Sequence, residues 1–482
     1  MTQNSNPLFH KLYKICGAKN VLVEDADRAA YETDVTHAYQ GRALAVVKPA
    51  TTQEVSEVLK LAHETGTPVI PLGGNTGLNG GGYPGDSGDT IILSLARMNH
   101  IKEIRPESRI AIVEAGVVLA KLHEAAAQHG LIFPLTFGAQ GSAMIGGNLA
   151  TNAGGSNVLR YGNTRDLVLG IEAVLPNGDI VDLMSELYKD NTGFNLKHLL
   201  IGSEGALGVI TGAVLKLAEK PKAYFTATVA VPGIGSALSL LNTLNSATSN
   251  AVEAFEYMPG DYFELLVERF PDMRAPFDTP AEHGIFLEVG LTAAADVTPL
   301  PDGSLPAINR LESLLADLFE TGQILDAVVC KSDAQRQDMW ARRERAYEAT
   351  MARGMPVTND ISVAVDRVEA FLDLMDTRLP AAFPDAKSLT VAHLGDGNLH
   401  YCVWTNGRGD VEKGDYDRVL EVVEDTVLEL GGSFSAEHGI GLTKLNAMGR
   451  RKNKPAVAAM WAIKNALDPK GIMNPGKVLP PQ

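Results

Sequence analysis

Two histidines, His393 and His400, stand in Val391-Ala-His-Leu-Gly-Asp-Gly-Asn-Leu-His-Tyr-Cys-Val-Trp404. Apolar, β-rich flanks surround Gly395-Asp396-Gly397-Asn398, which is turn chemistry, so the segment predicts a β-hairpin. With those residues as the loop, Leu394 faces Leu399 and His393 faces His400. Directly opposed side chains on one face are close enough to share a ligand. Two imidazoles so placed suit a divalent metal. A third candidate ligand, Glu437, lies in Ser435-Ala436-Glu437-His438-Gly439. Two His and one carboxylate leave coordination positions open, a catalytic rather than a structural pattern. The plain alternative is a hairpin with two ordinary histidines. The chain has only 11 His, however, and these two short motifs hold His393, His400 and His438. A neutral imidazole near pH 7 suits His438 to a general-base role; its plain reading is a structural His beside the metal loop.

Such a site needs a scaffold, and 482 residues are too many for one ordinary core, so two or three domains are expected. A hydrophobic content of 45% with 21% charged residues is that of a soluble globular chain. The net charge of −16 disfavours nucleic acid as a partner, because phosphate binding needs a basic surface. Cys16, Cys330 and Cys402 form no Cys-x-x-Cys pair, which argues against an iron–sulfur cluster or a Cys₄ zinc site. Their odd number suggests no disulfide framework, and a reducing compartment fits. Met1-Thr-Gln-Asn-Ser-Asn-Pro7 lacks a basic and then apolar leader, and no long apolar run exists. A cytoplasmic location is the expectation.

Along the chain, Ala43–Val47 reads as a strand. Thr51-x-x-Glu54 is a capping box, Val55, Val58, Leu59 and Ala62 follow at helical spacing, and Gly66 closes the helix before the strand Val69–Leu72. Gly73–Gly82 is glycine-rich, as is Phe137–Gly155. Thr90–Ser94, Leu167–Leu175 and Asp179–Asp182 read as strands, the last two joined by the turn Pro176-Asn177-Gly178. From Pro221 to about 450 glycine thins out. Tyr224–Val231 and Asp326–Cys330 read as strands. Leu311, Leu314, Leu315 and Leu318 mark a helix, Asp333 to about Ala352 a second, and Val419, Leu420, Val423, Val427 and Leu428 a third. That pattern predicts an α+β domain with helices on one face of an antiparallel sheet.

Glycine serves where backbone must approach a ligand or adopt positive φ. The strand ending at Pro71-Leu72, followed by Gly and Asn, can present several N–H groups to a diphosphate. Several such clusters, poor in charge, suggest a long polar ligand, and a dinucleotide is the natural candidate. Gly80-Gly-Gly-Tyr-Pro-Gly85 matches G-x-G-x-x-G formally. It is not a Rossmann fingerprint, because Pro84 sits inside it and a strand follows. The P-loop pattern is absent.

Pro71-Leu-Gly-Gly-Asn-Thr-Gly77, Gly141-Ser-Ala-Met-Ile-Gly-Gly-Asn148, Asn152-Ala-Gly-Gly155 and Gly202-Ser-Glu-Gly-Ala-Leu-Gly-Val-Ile210 resemble the FAD-binding half of the vanillyl-alcohol-oxidase/p-cresol-methylhydroxylase (PCMH) superfamily. His393-Leu-Gly-Asp-Gly-Asn-Leu-His400 and Glu437-His-Gly-Ile-Gly441 resemble its D-2-hydroxyacid dehydrogenase branch, which includes FAD-linked D-lactate and D-2-hydroxyglutarate dehydrogenases. The resemblance runs from about residue 20 to Lys477. It implies an α+β chain: a two-lobed PCMH-type FAD-binding domain (1–220, core about 40–219), a substrate or cap domain whose antiparallel sheet is covered by helices (221–450), and a C-terminal segment (451–482) returning to the first. Pro71, Gly73, Gly74, Asn75, Thr76, Gly77, Leu78, Gly141, Ser142, Gly146, Gly147 and Asn148 would hold FAD. Asn152 and Gly155 would lie near the flavin, Ile210 near the adenine, with Asn474 in the tail also at the cofactor. Some members tether FAD through a His where this chain has Asn75, so non-covalent FAD is implied. His393, His400 and Glu437 would bind a divalent ion, Zn²⁺ by ligand type with Mn²⁺ as the alternative. His438 would take the C2-hydroxyl proton while the C2 hydrogen passes as hydride to flavin N5.

Arg343 shares a helical face with Met339, Trp340, Ala346 and Tyr347, and a guanidinium there needs an anionic partner. A buried Asp or Glu would serve; in the resembled family the matching Arg faces the substrate. Arg342 and Arg345 are expected to face solvent. Members acting on D-2-hydroxyglutarate typically carry a Lys where this chain has Thr358, a Thr at Tyr347 and an Asn at Cys402. The pocket lined by Arg343, Tyr347, Thr358 and Cys402 has thus lost a cation, which favours D-lactate or a related monocarboxylate over D-2-hydroxyglutarate. A 2-hydroxyacid oxidase using O₂, a metal-dependent hydrolase and a non-catalytic flavoprotein subunit are the rival readings. An electron-transfer protein or the quinone pool would accept the electrons, and a homodimer is compatible with the sequence.

Overall fold

The computed structural model of the chain describes residues 7–482, so the expectation drawn from the first six residues lies outside the described residues. Packing divides the chain into two compact units. The first takes the residues up to Gly154, Gly162–Glu219 and Glu437–Gln482; the second takes Gly155–Tyr161 and Lys220–Ala436. The chain rejoins the first unit at Glu437 rather than near 451. The cause is local: the Ala436 N–H still bonds the carbonyl of Asp360 in the second unit, whereas Glu204 of the first unit holds the N–H groups of Ile440 and Gly441. No helix among the described residues is long and apolar enough to cross a membrane.

The first unit opens with β1 (Val21–Leu22), β2 (Ala45–Val47), β3 (Val69–Leu72) and β4 (Ile91–Ser94), in the order β1-β2-β4-β3. β4 pairs in parallel with both β2 and β3. Parallel neighbours need a crossover, and helix Thr52–Thr65 supplies it between β2 and β3. Thr51 accepts from the Glu54 N–H at its start, Gly66 ends it in the left-handed region (φ 68°), and Val55, Val58, Leu59 and Ala62 form its buried face. β3 ends where Gly73 begins, so the first glycine loop leaves the carboxyl end of a strand. A second sheet follows from β5 (Ile101–Arg105), β6 (Ile110–Glu114), β7 (Leu131–Ile132), β8 (Val168–Val174), β9 (Ile180–Leu183), β10 (Val209–Lys216) and β11 (Ala218–Glu219). Five of these make an antiparallel sheet, β5-β6-β10-β8-β9, and β7 with β11 makes a short ribbon. The C-terminal tail bridges Met473 to Val69 beside β3.

The second unit is built, among the described residues, on a seven-stranded sheet. Its members are β12 (Ala223–Val231), β13 (Val252–Pro259), β14 (His283–Leu291), β15 (Asp326–Val329), β16 (Val357–Ser362), β17 (Lys387–His393) and β18 (Asn398–Trp404), in the order β15-β12-β14-β13-β17-β18-β16. Its ladders are antiparallel. Helices Ile234–Thr248, Pro306–Glu320, Val368–Ala382 and Lys413–Glu429 pack their apolar stripes on one face. The sequence reading placed helices on that face alone. Helix Gly260–Arg269, with Met339 and Ala349, packs on the other against Phe286, Val391 and Trp404. The helix expected from Asp333 to about Ala352 breaks at Arg345 (ψ 4°) into Asp333–Glu344 and Ala346–Met351.

Candidate active site

In the second unit, β13, β17, β18 and β16 bring Glu256, His393, His400 and Asp360 to one face of the sheet. The hairpin forms, with a different register from the one expected. His393 pairs with Asn398 and Val391 with His400, so the turn is Leu394–Gly397 and not 395–398. Gly397 is what permits the shift: it takes φ +78°, and a Cβ there would run into the Val363 carbonyl. Moving the pairing by two keeps every side chain on its face. His393 and His400 therefore become diagonal neighbours, with ring centroids 5.3 Å apart at 78°.

Glu256 organises this face. It is fully buried and accepts from His393 Nδ1 at 2.8 Å and from Arg343 Nε at 2.6 Å. Burial penalises its charge, but His393 and Arg343 outweigh that and hold the carboxyl down at about 2. A carboxylate on one nitrogen of a histidine fixes the ring and directs the other nitrogen outward, as around metal ligands. Here that nitrogen, Nε2, lies 3.4 Å from Arg343 Nη2. Across the next ladder Asp360 pairs with His400, and each brings a potential ligand atom within 4.8 Å of the other's. His400 and Asp360 thus form an N/O donor pair that fits a divalent ion, whereas His393, its Nε2 beside the Arg343 guanidinium, does not join them.

In the first unit, Glu437 and His438 lead a loop held from below. The Asn79 side chain donates to the carbonyls of His438 (3.0 Å) and Gly439 (2.6 Å). Glu204 accepts the Ile440 and Gly441 N–H groups at 2.7 and 2.9 Å, and burial pushes its carboxyl up against the pull of these bonds. The loop leaves His438 Nε2 3.5 Å from Glu437 Oε1. Both glycines of the loop take positive φ, and a Cβ on Gly441 would strike the Asn79 backbone.

The glycine blocks meet in the same unit. Gly73 packs on Gly147 backbone, and a Cβ on Gly74 would run into the Ser142 carbonyl. Gly146 opens helix Ile145–Thr151 against Ala115, where a Cβ would also clash. Over Gly77, Gly141 and Gly147, by contrast, a Cβ would point into open space. Asn148 Nδ2 and Asn474 Oδ1 are buried without hydrogen-bond partners. Buried polar atoms without partners are costly, and a cradle of bare glycine backbone with orphan amide groups fits a bound polar cofactor. Asn75 (φ 54°) gives its side-chain N–H to the Thr33 carbonyl. Pro71 packs toward Gly205, Asn152 caps its helix in the left-handed region and accepts from Arg165 N–H, and Ile210 is buried on β10. In the loop after β3, Thr76 is half-buried and Leu78 exposed.

Thr358 and Cys402 lie two residues along their strands from Asp360 and His400 and so share their face of the sheet. Gly155 packs with the second unit. Tyr347 is 67% exposed and Thr358 is exposed. Cys402 is buried opposite Thr358, its thiol pushed up to about 12 by burial. Arg342 does not face solvent: its side chain is mostly buried and donates to the Arg274 carbonyl, while Arg345 is exposed and lies over the Phe270 ring. The sequence reading missed Glu256, Asp360, Glu204 and Asn79. Glu256 left one trace, an acid inside the otherwise apolar run Ala254–Met258.

The chain matches two family models: FAD binding domain over residues 43–184, and FAD linked oxidases, C-terminal domain, over 220–478. It is 36% identical over 489 residues to the mitochondrial D-2-hydroxyglutarate dehydrogenase of Arabidopsis thaliana, covering 98% of this chain and 83% of that protein. It is 34% identical to the D-2-hydroxyglutarate dehydrogenase of Xanthomonas citri pv. viticola, covering 98% and 97%. Among solved structures, p-cresol methylhydroxylase with substrate bound superposes with a TM-score of 0.73 at 17% identity, covering 100% of this chain and 98% of that one. An alkyldihydroxyacetonephosphate synthase superposes at 0.71 and 17% identity, covering 98% and 85%. At such identity the structures show the fold alone.

Proposed function

Because this chain belongs to the FAD linked oxidases, we propose that its substrate is D-2-hydroxyglutarate, the one named for its curated relatives. It is an FAD-dependent oxidoreductase acting on the CH–OH group of a D-2-hydroxyacid, and the product is the 2-oxoacid. FAD, when bound, supplies the two-electron acceptor. The observation that carries the reading is the Glu256 face. Glu256 takes Nε of Arg343 and His393 Nε2 lies beside Nη2, so Nη1 is the guanidinium nitrogen left for a substrate carboxylate. His438, on a loop whose backbone Asn79 and Glu204 hold, takes the C2-hydroxyl proton. His393, His400 and Glu437 are proposed ligands of a divalent ion, with Asp360 added because it faces His400. Such an ion, when bound, supplies the charge that favours the alkoxide.

The monocarboxylate reading stays as the second one, on a specific observation: positions 347, 358 and 402 offer an exposed phenol, an exposed hydroxyl and a neutral thiol, and no cation. One experiment separates the two. Anaerobic mixing with D-2-hydroxyglutarate should bleach the flavin faster than D-lactate does. Each tenfold in the ratio is about 1.4 kcal/mol of transition-state discrimination. A faster rate with D-lactate would reverse the assignment. His438→Gln should keep its flavin and lose bleaching by orders of magnitude; chelator should slow bleaching and added metal restore it. Acid precipitation should release free FAD, because Asn75 offers no tether.

A further inference from the structure

Helix Asp333–Glu344 carries Arg343, and apolar packing alone does not hold it in place. Of its 12 residues only Met339 is buried, and the break at Arg345 means that no continuous helix stiffens it from beyond. Its hold on the sheet is polar. Arg336, Trp340 and Arg343 follow one another at spacings of four and three, so they share one helical face. Arg343 reaches Glu256 on β13. Arg336 and Trp340 reach a second carboxylate, Glu288 on β14. The β13–β14 ladder pairs Ala254 with Glu288 and Glu256 with Phe286. Both carboxylates therefore stand on one face of the sheet, on neighbouring strands and two residues apart along the ladder.

Glu288 is buried and uses both its oxygens. Oε2 accepts from Arg336 Nε at 2.6 Å, from Thr226 Oγ1 at 2.7 Å and from Trp340 Nε1 at 3.1 Å; Oε1 accepts from Arg336 Nη2 at 2.5 Å. The two Arg336 bonds make a bidentate pair, which fixes direction as well as distance. That guanidinium also lies 3.9 Å from the centroid of the Tyr224 ring, and the Trp340 ring meets Phe286 edge-on at 4.7 Å. At 1.5 Å per residue, Arg336 and Arg343 are about 10 Å apart along the helix axis. The helix is thus pinned at two points two turns apart, and the Tyr262 hydroxyl adds a third by donating to the Arg342 carbonyl. A single pin lets a helix pivot, whereas two set its rotation and its slide along the sheet. A buried ion pair adds little net stability over apolar groups of the same shape; what it supplies here is a defined geometry.

We propose that Glu288 is a positioning residue for substrate binding. Through Arg336 and Trp340 it sets where helix Asp333–Glu344 lies, and hence where Arg343 Nη1 meets the substrate carboxylate. The inference rests on the reading of Arg343 as the ligand of that carboxylate. Glu256 does not suffice for this, because it holds the guanidinium and not the helix that carries it. Glu288 acts through Arg343 and not on the reacting C2 group, so its signature is in substrate affinity and not in the rate of hydride transfer.

The test is anaerobic bleaching of the flavin by D-2-hydroxyglutarate, or by D-lactate where that acid bleaches it faster, with the dissociation constant and the limiting rate read separately. Glu288→Gln keeps the shape of the side chain and removes the charge that holds Arg336. It should raise the dissociation constant about tenfold and leave the limiting rate within about threefold. Trp340→Phe keeps a ring against Phe286 and removes the indole donor, so it serves where Glu288→Gln does not fold; the constant should rise about threefold. Both shifts should vanish in an Arg343→Ala background, because a residue acting through Arg343 then has nothing to position. A merely structural role gives the same shift in either background. That result overturns the proposal and leaves Arg343 as the carboxylate ligand, as does a loss confined to the limiting rate or a constant unmoved by both substitutions. An Arg343→Ala variant that binds each 2-hydroxyacid tested as tightly as the unaltered protein removes the reading of Arg343, and the proposal with it.

Discussion

Glu256 accepts from both Arg343 and His393, and it is buried more completely than either. Its carboxylate sets the His393 tautomer to Nδ1–H and fixes the guanidinium, so two candidate site residues are positioned by a third. Removing one member of a buried charge cluster strands the others. Glu256→Gln is expected to lower unfolding stability by about 3–5 kcal/mol, read from urea unfolding of the purified protein. It should also slow flavin bleaching, because His393 and Arg343 lose their orientation. A loss under about 1 kcal/mol, the range of an exposed ion pair, would mean that the cluster is not held as charged groups. Arg343 itself was legible: an arginine on an apolar helical face demands an anion, and both an internal acid and a substrate carboxylate were in view. Which acid was not legible, because Glu256 lies far away in sequence and only the sheet order β13-β17 brings it to His393.

At the scale of elements, local chemistry read well and long-range register did not. The Thr51 cap and the Gly66 stop are side-chain and backbone rules confined to one turn, and both hold; the return half of the capping box does not close on Thr51, because Glu54 accepts from the Ala50 N–H instead. The hairpin was recognised from its turn residues, but its register depends on Gly397 fitting under the Val363 carbonyl, a neighbour outside the hairpin. The shift by two was benign because the strand period is two; a shift by one would have sent His400 to the opposite face. Helices on both faces escaped notice because Gly260–Arg269 is short and buries Tyr262, Phe263, Leu265 and Leu266 without long-range periodicity. The glycine blocks were legible as a cradle, yet their roles differ: Gly74 and Gly146 let backbones touch, whereas Gly77, Gly141 and Gly147 border open space. Gly74→Ala should therefore pry the Gly73 loop from Ser142 and reduce flavin occupancy of the purified protein severalfold, measured by the ratio of flavin to protein absorbance. Gly141→Ala puts a methyl into the space itself and should act through the ligand, with little change in the stability of the flavin-free protein. Equal loss of flavin-free stability in both would contradict this division.

At the scale of the whole chain, neither unit is a contiguous segment, and the short excursion 155–161 shows why. Arg160 donates to Glu253 at 2.7 Å and to the carbonyl of Gly290 at 2.8 Å, and Tyr161 donates to Glu253 at 2.7 Å. Glu253 is buried; burial pushes its carboxyl up while these donors pull it down. A sequence pattern could place 155–161 with the glycine-rich half, as it was placed here, because only the partner on β13 reveals the other membership. The pair gives a measurable consequence. Arg160→Met leaves Glu253 buried without its cation, and Glu253→Leu leaves Arg160 without its anion, so each should cost about 3 kcal/mol. The double substitution removes both charges and should cost clearly less than the sum, giving a coupling of about 1–3 kcal/mol. The loss should appear in unfolding of the second unit, followed by the fluorescence of Trp340 and Trp404 in a Trp461→Phe background, because both tryptophans belong to that unit. Additive costs would show that the pair is solvated and that something else holds the excursion to the second unit.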